Sequence, residues 1–270
     1  MLAALALAAC SGGTSGGADE AAARGTTAPA PADTGAPAGE ITVAAASDLR
    51  PAFEELGEAF RRDTGTRVTF VFGSSGQLRE QILNGAPFDL FASANVEYAD
   101  EVVEAGRGDA STKADYAYGR IVLWTRDPAD LPDAIGGLAD ARYRRIAIAN
   151  PRHAPYGVAA EQALRATGVY DDVERRLVYG ENVSDTFRIA RSGNADVAIV
   201  ALSLAIADGG RYRLVPDDLH EPLRQTLVVT STGARGEAAR AFAAFVSSPA
   251  GREVMVRYGF VLPGERLPAG

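Results

Sequence analysis

The stretch Val43-Ala44-Ala45-Ala46-Ser47-Asp48-Leu49-Arg50-Pro51-Ala52-Phe53 decides the fold. It reads as a buried strand that stops at Ser47 and turns directly into a helix. Ser47 stands where an N-cap belongs, and Asp48 falls in the first helical turn. Pro51 costs little there, because the first backbone N–H groups of a helix have no intrahelical acceptor. Leu49, Phe53, Leu56 and Phe60 then repeat at four, three and four residues as one apolar face, and Gly65 closes the helix. A helix N-terminus at the carboxyl end of a strand can hold an anion on backbone N–H groups.

From residue 40 onward strand and helix patterns alternate. Strands are expected at 66–72, 88–94, 117–125, 145–149, 177–179, 195–202, 212–215 and 225–230. Helices are expected at 77–83, from a cap at Asn95 to 105, from about 157 to 166, from a cap at Asn182 or Ser184 to 191, and at 235–246 and 250–258. This alternation implies an α/β fold of mostly parallel sheets with helices on both faces. The long strand at 117–125 suits a crossing between two lobes, and the strand at 225–230 suits a return to the first. The expected division is 40–118 plus 226–270 for lobe 1 and 119–225 for lobe 2.

The 270 residues carry a net charge of −8, with two His and one Cys. That charge argues against a nucleic-acid partner, which would need clustered Lys and Arg. It also argues against long-range steering of an anion, so any attraction must be local. No zinc cluster, thiol pair or haem motif can be assembled from this inventory, and no cofactor is expected. The chain opens with a short apolar run ending Leu7-Ala8-Ala9-Cys10, which resembles the lipobox of bacterial lipoproteins. Residues 1–10 are therefore expected to be a signal segment and Cys10 a lipidated residue. No basic region precedes the run, so the natural start is expected upstream. Residues 11–39 are rich in Gly, Ala, Thr, Pro and Ser and lack the large apolar side chains needed to offset ordering, which predicts a flexible linker.

Four turns share one design. Ser47-Asp48, Ser74-Ser75-Gly76, Pro155-Tyr156-Gly157 and Asn182-Val183-Ser184 each follow a strand and open a helix. Taken singly, a Ser before a helix is a cap and Gly73-Ser74-Ser75-Gly76 is a plain turn. Taken together, two from each half of the chain, they can converge on one ligand across a cleft. Each helix end carries about half a positive elementary charge. Such a site binds a fully deprotonated oxyanion without Arg or Lys.

Several of these segments resemble a known family. Ala44-Ala45-Ala46-Ser47-Asp48-Leu49, Phe72-Gly73-Ser74-Ser75-Gly76-Gln77-Leu78, Asn84-Gly85-Ala86-Pro87-Phe88-Asp89-Leu90-Phe91-Ala92-Ser93-Ala94 and Ala147-Ile148-Ala149-Asn150-Pro151 through Tyr156-Gly157 resemble the periplasmic molybdate-binding proteins of ABC importers. Tyr179-Gly180-Glu181-Asn182-Val183 and Val200-Ala201-Leu202-Ser203 fit as well. The resemblance runs from about residue 41 to 260. It implies a two-lobed periplasmic-binding-protein fold of class II type with the ligand cleft between the lobes. It further implies a monomer that takes up molybdate or tungstate and delivers it to a membrane permease, at the outer face of the cytoplasmic membrane or in the periplasm.

Carried over by position, Ser47 and Ser75 are the expected hydroxyl and N–H donors from lobe 1, with Tyr156 and Val183 from lobe 2. Ala201 stands where some members have a further Tyr, and the Tyr156 hydroxyl is the expected replacement. Asp48 and Ser74 are secondary candidates. The Asp48 carboxylate is expected to cap the helix or face solvent, leaving its N–H for the ligand. No side chain is expected to ligate the metal itself, since molybdenum arrives as its oxyanion. Discrimination against sulfate would rest on cage size, because Mo–O and W–O bonds are longer than S–O.

Other residues carry ordinary readings. Arg152 and His153 are expected at the surface, Trp124 in a hinge strand or core, Asp89 as a satisfied buried carboxylate, and Arg142, Arg144 and Arg145 on a solvated face. The alternatives are a binding protein for sulfate, phosphate or an organic anion, or an enzyme on the same scaffold. No nucleophile elbow, phosphate-loop lysine motif or partner for either His supports the enzyme.

Overall fold

Apolar residues at helical spacing and runs of β-branched residues alternate along the chain, and the computed structural model places them in two five-stranded sheets. It describes residues 39–230, 233 and 235–265. The signal segment, Cys10 and nearly all of the expected linker lie outside the described residues.

The first sheet is built from β1 (Glu40–Ala46), α1 (Arg50–Thr64), β2 (Arg67–Gly73), α2 (Ser75–Leu83), β3 (Leu90–Ser93), α3 (Val96–Glu104) and β4 (Ala114–Gly119). The chain then enters a second sheet through β5 (Ile121–Trp124), followed by β6 (Ile146–Ala149), α4 (Pro155–Ala166), α5 (Tyr170–Val173), β7 (Leu177–Gly180), α6 (Val183–Arg191), β8 (Val197–Ala201), α7 (Leu202–Asp208) and β9 (Tyr212–Leu214). It returns through β10 (Leu223–Val229) and ends in α8 (Gly236–Val246) and α9 (Pro249–Arg257). The strand orders are β2-β1-β3-β10-β4 and β7-β6-β8-β5-β9. In each sheet the first three strands are parallel and the fourth runs antiparallel to them.

The expected single strand at 117–125 is corrected. It is two strands in different sheets, broken at Arg120. Arg120 forms a two-pronged ion pair with Asp217 (Nη2–Oδ2 2.9 Å, Nε–Oδ1 3.2 Å), which ties the outgoing crossing to the returning one.

Phe53, Leu56 and Phe60 are buried on one face of α1, and Leu49 is buried just before it, as their spacing requires. Phe53 and Phe60 meet Phe242 of α8 edge-on, with ring centroids 6.1 and 5.3 Å apart. The C-terminal helix α8 therefore completes the core of the first sheet. Gly65 ends α1 at φ +75°, with its N–H donating to the Arg61 carbonyl, a left-handed cap that a side chain would strain. Asn95 caps α3 and Asn182, not Ser184, caps α6, each side-chain oxygen accepting an N–H three residues on.

Candidate functional site

Six residues singled out from the sequence line one cavity: Ser47 and Asp48 after β1, Ser74 and Ser75 after β2, Tyr156 at the start of α4, and Val183 at the start of α6. Its volume is about 10 Å³. Organic ligands occupy clefts of roughly 300–1,000 Å³, so this cavity is too small for one. A groove of about 810 Å³ elsewhere runs past Arg50, Glu54, Arg188, Arg191 and Asp208. Those arginines are exposed and ion-paired (Arg50–Glu54 3.1 Å, Arg188–Asp185 2.6 Å, Arg191–Asp208 3.2 Å), which makes the groove a solvated face.

Ser47 departs from its expected role as an N-cap. A short 3-10 turn, Ser47–Leu49, precedes α1, and no side chain caps it. The Ser47 Oγ instead accepts from the Ser184 N–H at 3.3 Å, while Ser184 Oγ donates to the Ser47 carbonyl at 2.8 Å. Ser75 Oγ accepts from the buried Ala94 N–H at 2.9 Å. Each serine thus spends a lone pair on the protein and donates its proton to no described residue. Both hydroxyl protons are therefore uncommitted among the described residues. Val183 and Tyr156 occupy the first two positions of their helices, where backbone N–H groups have no intrahelical acceptor.

Asp48 is the largest correction. Its side chain neither caps a helix nor meets solvent; it is fully buried. Oδ2 accepts from the Tyr156 hydroxyl at 3.0 Å and from Gln225 Nε2 at 2.9 Å, and Ser203 Oγ donates to the Asp48 carbonyl at 2.7 Å. Burial pushes the carboxyl from 3.8 up to about 7, opposed by the bonds from Tyr156, its own backbone N–H and Gln225. Burial, and then the charge of Asp48, hold the Tyr116 and Tyr156 hydroxyls well above their usual range. The Tyr156 hydroxyl is therefore committed to Asp48 and does not replace the hydrogen bond absent at Ala201.

His153, expected at the surface, bridges the two sheets. Its Nδ1 lies 2.8 Å from Ser74 Oγ, and its carbonyl accepts the Gly76 N–H at 2.9 Å. A Cβ at Gly76 would sit 2.7 Å from that carbonyl, so the close approach needs glycine. Gln77 Nε2 adds a bond to Glu181 Oε2 at 3.0 Å. Arg152 is exposed, as are Arg142, Arg144 and Arg145. Trp124 is buried in β5 against Phe187 of α6, with ring centroids 4.8 Å apart. Asp89 precedes β3 and is satisfied by the N–H groups of Thr42 and Arg235. Sequence reasoning placed Ser184 in one of the four turns but missed its bonds to Ser47, and it missed Ser203, Tyr116 and Gln225 at this site. A Gln in a strand that continues into Leu227-Val228-Val229 was the one available signal.

Residues 41–261 match the family model described as bacterial extracellular solute-binding protein. The chain belongs to this family. The molybdate-binding protein ModA of Rhodobacter capsulatus is 39% identical over 227 residues, covering 84% of this chain and 90% of that protein. The ModA of Azotobacter vinelandii is 34% identical over 231 residues, covering 84% and 92%. Among solved structures, an Azotobacter vinelandii periplasmic molybdate-binding protein superposes with a TM-score of 0.80 at 31% identity, covering 83% of this chain and 99% of that one. The two-sheet α/β architecture of this solute-binding protein is shared with that solved structure.

Proposed function

We propose that this protein captures molybdate, with tungstate as an equivalent ligand, and delivers it to the membrane permease of an ABC importer. The observation that carries the reading is the convergence of four strand-to-helix turns on one small cavity, with two serine hydroxyls whose protons are uncommitted. Ser47, Ser75, Tyr156 and Val183 are the proposed oxyanion donors, Tyr156 through its backbone N–H. Ser74 and Asp48 stand beside them. A dianion surrounded by donors and helix N-termini needs no counter-cation. Its oxygens accept hydrogen bonds, and no protein atom ligates the metal.

The protein is proposed to act as a monomer without cofactor and without catalysis. Ser74 and His153 touch, but no described residue hydrogen-bonds the other ring nitrogen of His153, so the pair lacks the orienting group of a nucleophilic site. Lobe 1 is proposed as 40–118 plus 226–270 and lobe 2 as 119–225. Cys10 is proposed as the lipid anchor at the outer face of the membrane. Labelling with radioactive palmitate tests it, and equal labelling of the Cys10→Ala variant would refute it.

Isothermal titration with molybdate, tungstate, sulfate and phosphate tests the ligand. Tight binding of molybdate and tungstate with weak sulfate is expected. Tight sulfate binding without molybdate binding would refute the reading.

A further inference from the structure

A buried polar cluster beside the cavity is not explained by the four donors. Asp48 lines the cavity and is fully buried. Its Oδ2 accepts from the Tyr156 hydroxyl and from Gln225 Nε2, and the residue's own backbone N–H also favours the charged form. Its Oδ1 is buried and has no partner among the described residues. An acid proton on this carboxyl therefore belongs on Oδ1, because Oδ2 already accepts two hydrogen bonds.

Among the described residues, none supplies a compensating cation to Asp48. The titratable groups that face it are Tyr156 from α4 and Tyr116 from β4, both neutral. On the 3-10 turn's neighbours, Arg50 of α1 pairs with Glu54, Arg188 of α6 pairs with Asp185, and Arg191 of α6 pairs with Asp208 of α7. Arg165 of α4 pairs with Glu161, Arg224 of β10 pairs with Asp115 of β4, and Arg120 pairs with Asp217. None of these is among the groups that shift Asp48. His153 bonds to Ser74 instead. An ionised Asp48 would then adjoin a dianion in a water-poor cavity with only neutral donors between them, a strongly repulsive arrangement.

We infer that Asp48 enters the anion complex as the neutral carboxylic acid and donates from Oδ1 to the bound oxyanion, so that capture of a tetrahedral dianion takes up one proton from solvent at alkaline pH. This inference rests on the oxyanion reading of the site. The proton comes from water or buffer, adds to the Asp48 carboxylate and is released with the anion. The site thereby prefers a fully deprotonated guest, which only accepts hydrogen bonds. A hydrogen phosphate, which must also donate, would face a second donor at this position.

The test is titration calorimetry of the intact protein with sodium molybdate at several pH values, each in two buffers of different ionisation enthalpy. Near pH 8.5 the buffer dependence should report uptake of close to one proton per molybdate. From pH 6 to 9 the Kd should rise by roughly 100-fold, approaching tenfold per pH unit, as one linked proton requires. Asp48→Asn keeps a donor and two acceptor lone pairs without titrating. Its Kd should be flat over the same range, with no proton uptake, and lower than that of the parent at pH 9. Molybdate binding to the parent with no buffer dependence and a flat Kd would overturn the inference. So would phosphate binding that Asp48→Asn abolishes, because the carboxylate would then be an acceptor. Absence of molybdate binding at every pH would overturn the oxyanion reading itself. The measurements on the parent need no variant to fold.

Discussion

Replacing Asp48 by Asn changes the pH dependence of stability in a calculable way. The folded carboxyl titrates at about 7 because it is fully buried, against 3.8 for the ordinary group. Between those two values the folded chain holds a proton that the unfolded chain has released. Stability contributed by this residue is therefore lost as pH rises from about 4 to about 7, and the loss is complete above that. The rise corresponds to roughly 4 kcal/mol. Asn does not titrate, and its amide oxygen can accept from Tyr156 and Gln225 as Oδ2 does. The variant should match the parent near pH 4 and exceed it by up to about 4 kcal/mol at pH 8. Urea unfolding of ligand-free protein at pH 4.5, 6 and 8, followed through the buried Trp124, reads the difference directly. With an m-value of about 2–3 kcal/mol/M, the midpoints should separate by about 1.5–2 M at pH 8. Other titrating groups cancel between the two proteins. Parallel curves at all three pH values, or a variant weaker than the parent at pH 8, would refute the reasoning, since either would mean that the carboxylate is hydrated.

Gly119→Ala would place a methyl group on the Tyr156 hydroxyl and 3.0 Å from Gln225 Nε2, displacing both donors to Asp48; molybdate affinity measured by calorimetry should fall by about tenfold or more, with far-UV circular dichroism unchanged. Ser75→Ala strands the buried Ala94 N–H and removes an anion donor. It should therefore lose about 1–3 kcal/mol in urea unfolding as well as about 1.5–3 kcal/mol in binding. Ser47→Ala gives up only a 3.3 Å bond from Ser184, so its loss should appear mainly in binding. Arg120→Met leaves Asp217 without its two-pronged partner at the crossing between sheets; a loss of about 3–5 kcal/mol in unfolding is expected, and unchanged thermal stability would show that the pair is not structural.

Much of the fold is legible from local patterns. The apolar face of α1 and the caps at Asn95 and Asn182 depend on residues within one or two turns of each other. The strands at β3, β6 and β8 are short apolar runs whose burial follows from composition. The break at Arg120 was not legible. Tyr118 to Trp124 is continuously strand-like, and only the pairing of β4 with β10 and of β5 with β8 shows that the chain changes sheets there. The cavity lining was legible because its donors are helix starts after strands, a local signature. Ser203 and Gln225 were not, because they act on Asp48 from 155 and 177 residues away.

The sequence by itself determined the alternating α/β architecture, the four turns that line the cavity, and the class of ligand that neutral donors and helix ends can hold. Those properties follow from the order of residues along a few turns of chain. Only the tertiary structure decided the state of Asp48. In the sequence it is a carboxylate in a first helical turn, with an ordinary preference for solvent. In the fold, β4, β10 and α4 close over it, remove its water and offer two donors to one of its oxygens. A carboxyl's charge is set by what surrounds it in space, and here the two nearest hydrogen-bond donors come from segments more than 100 residues away.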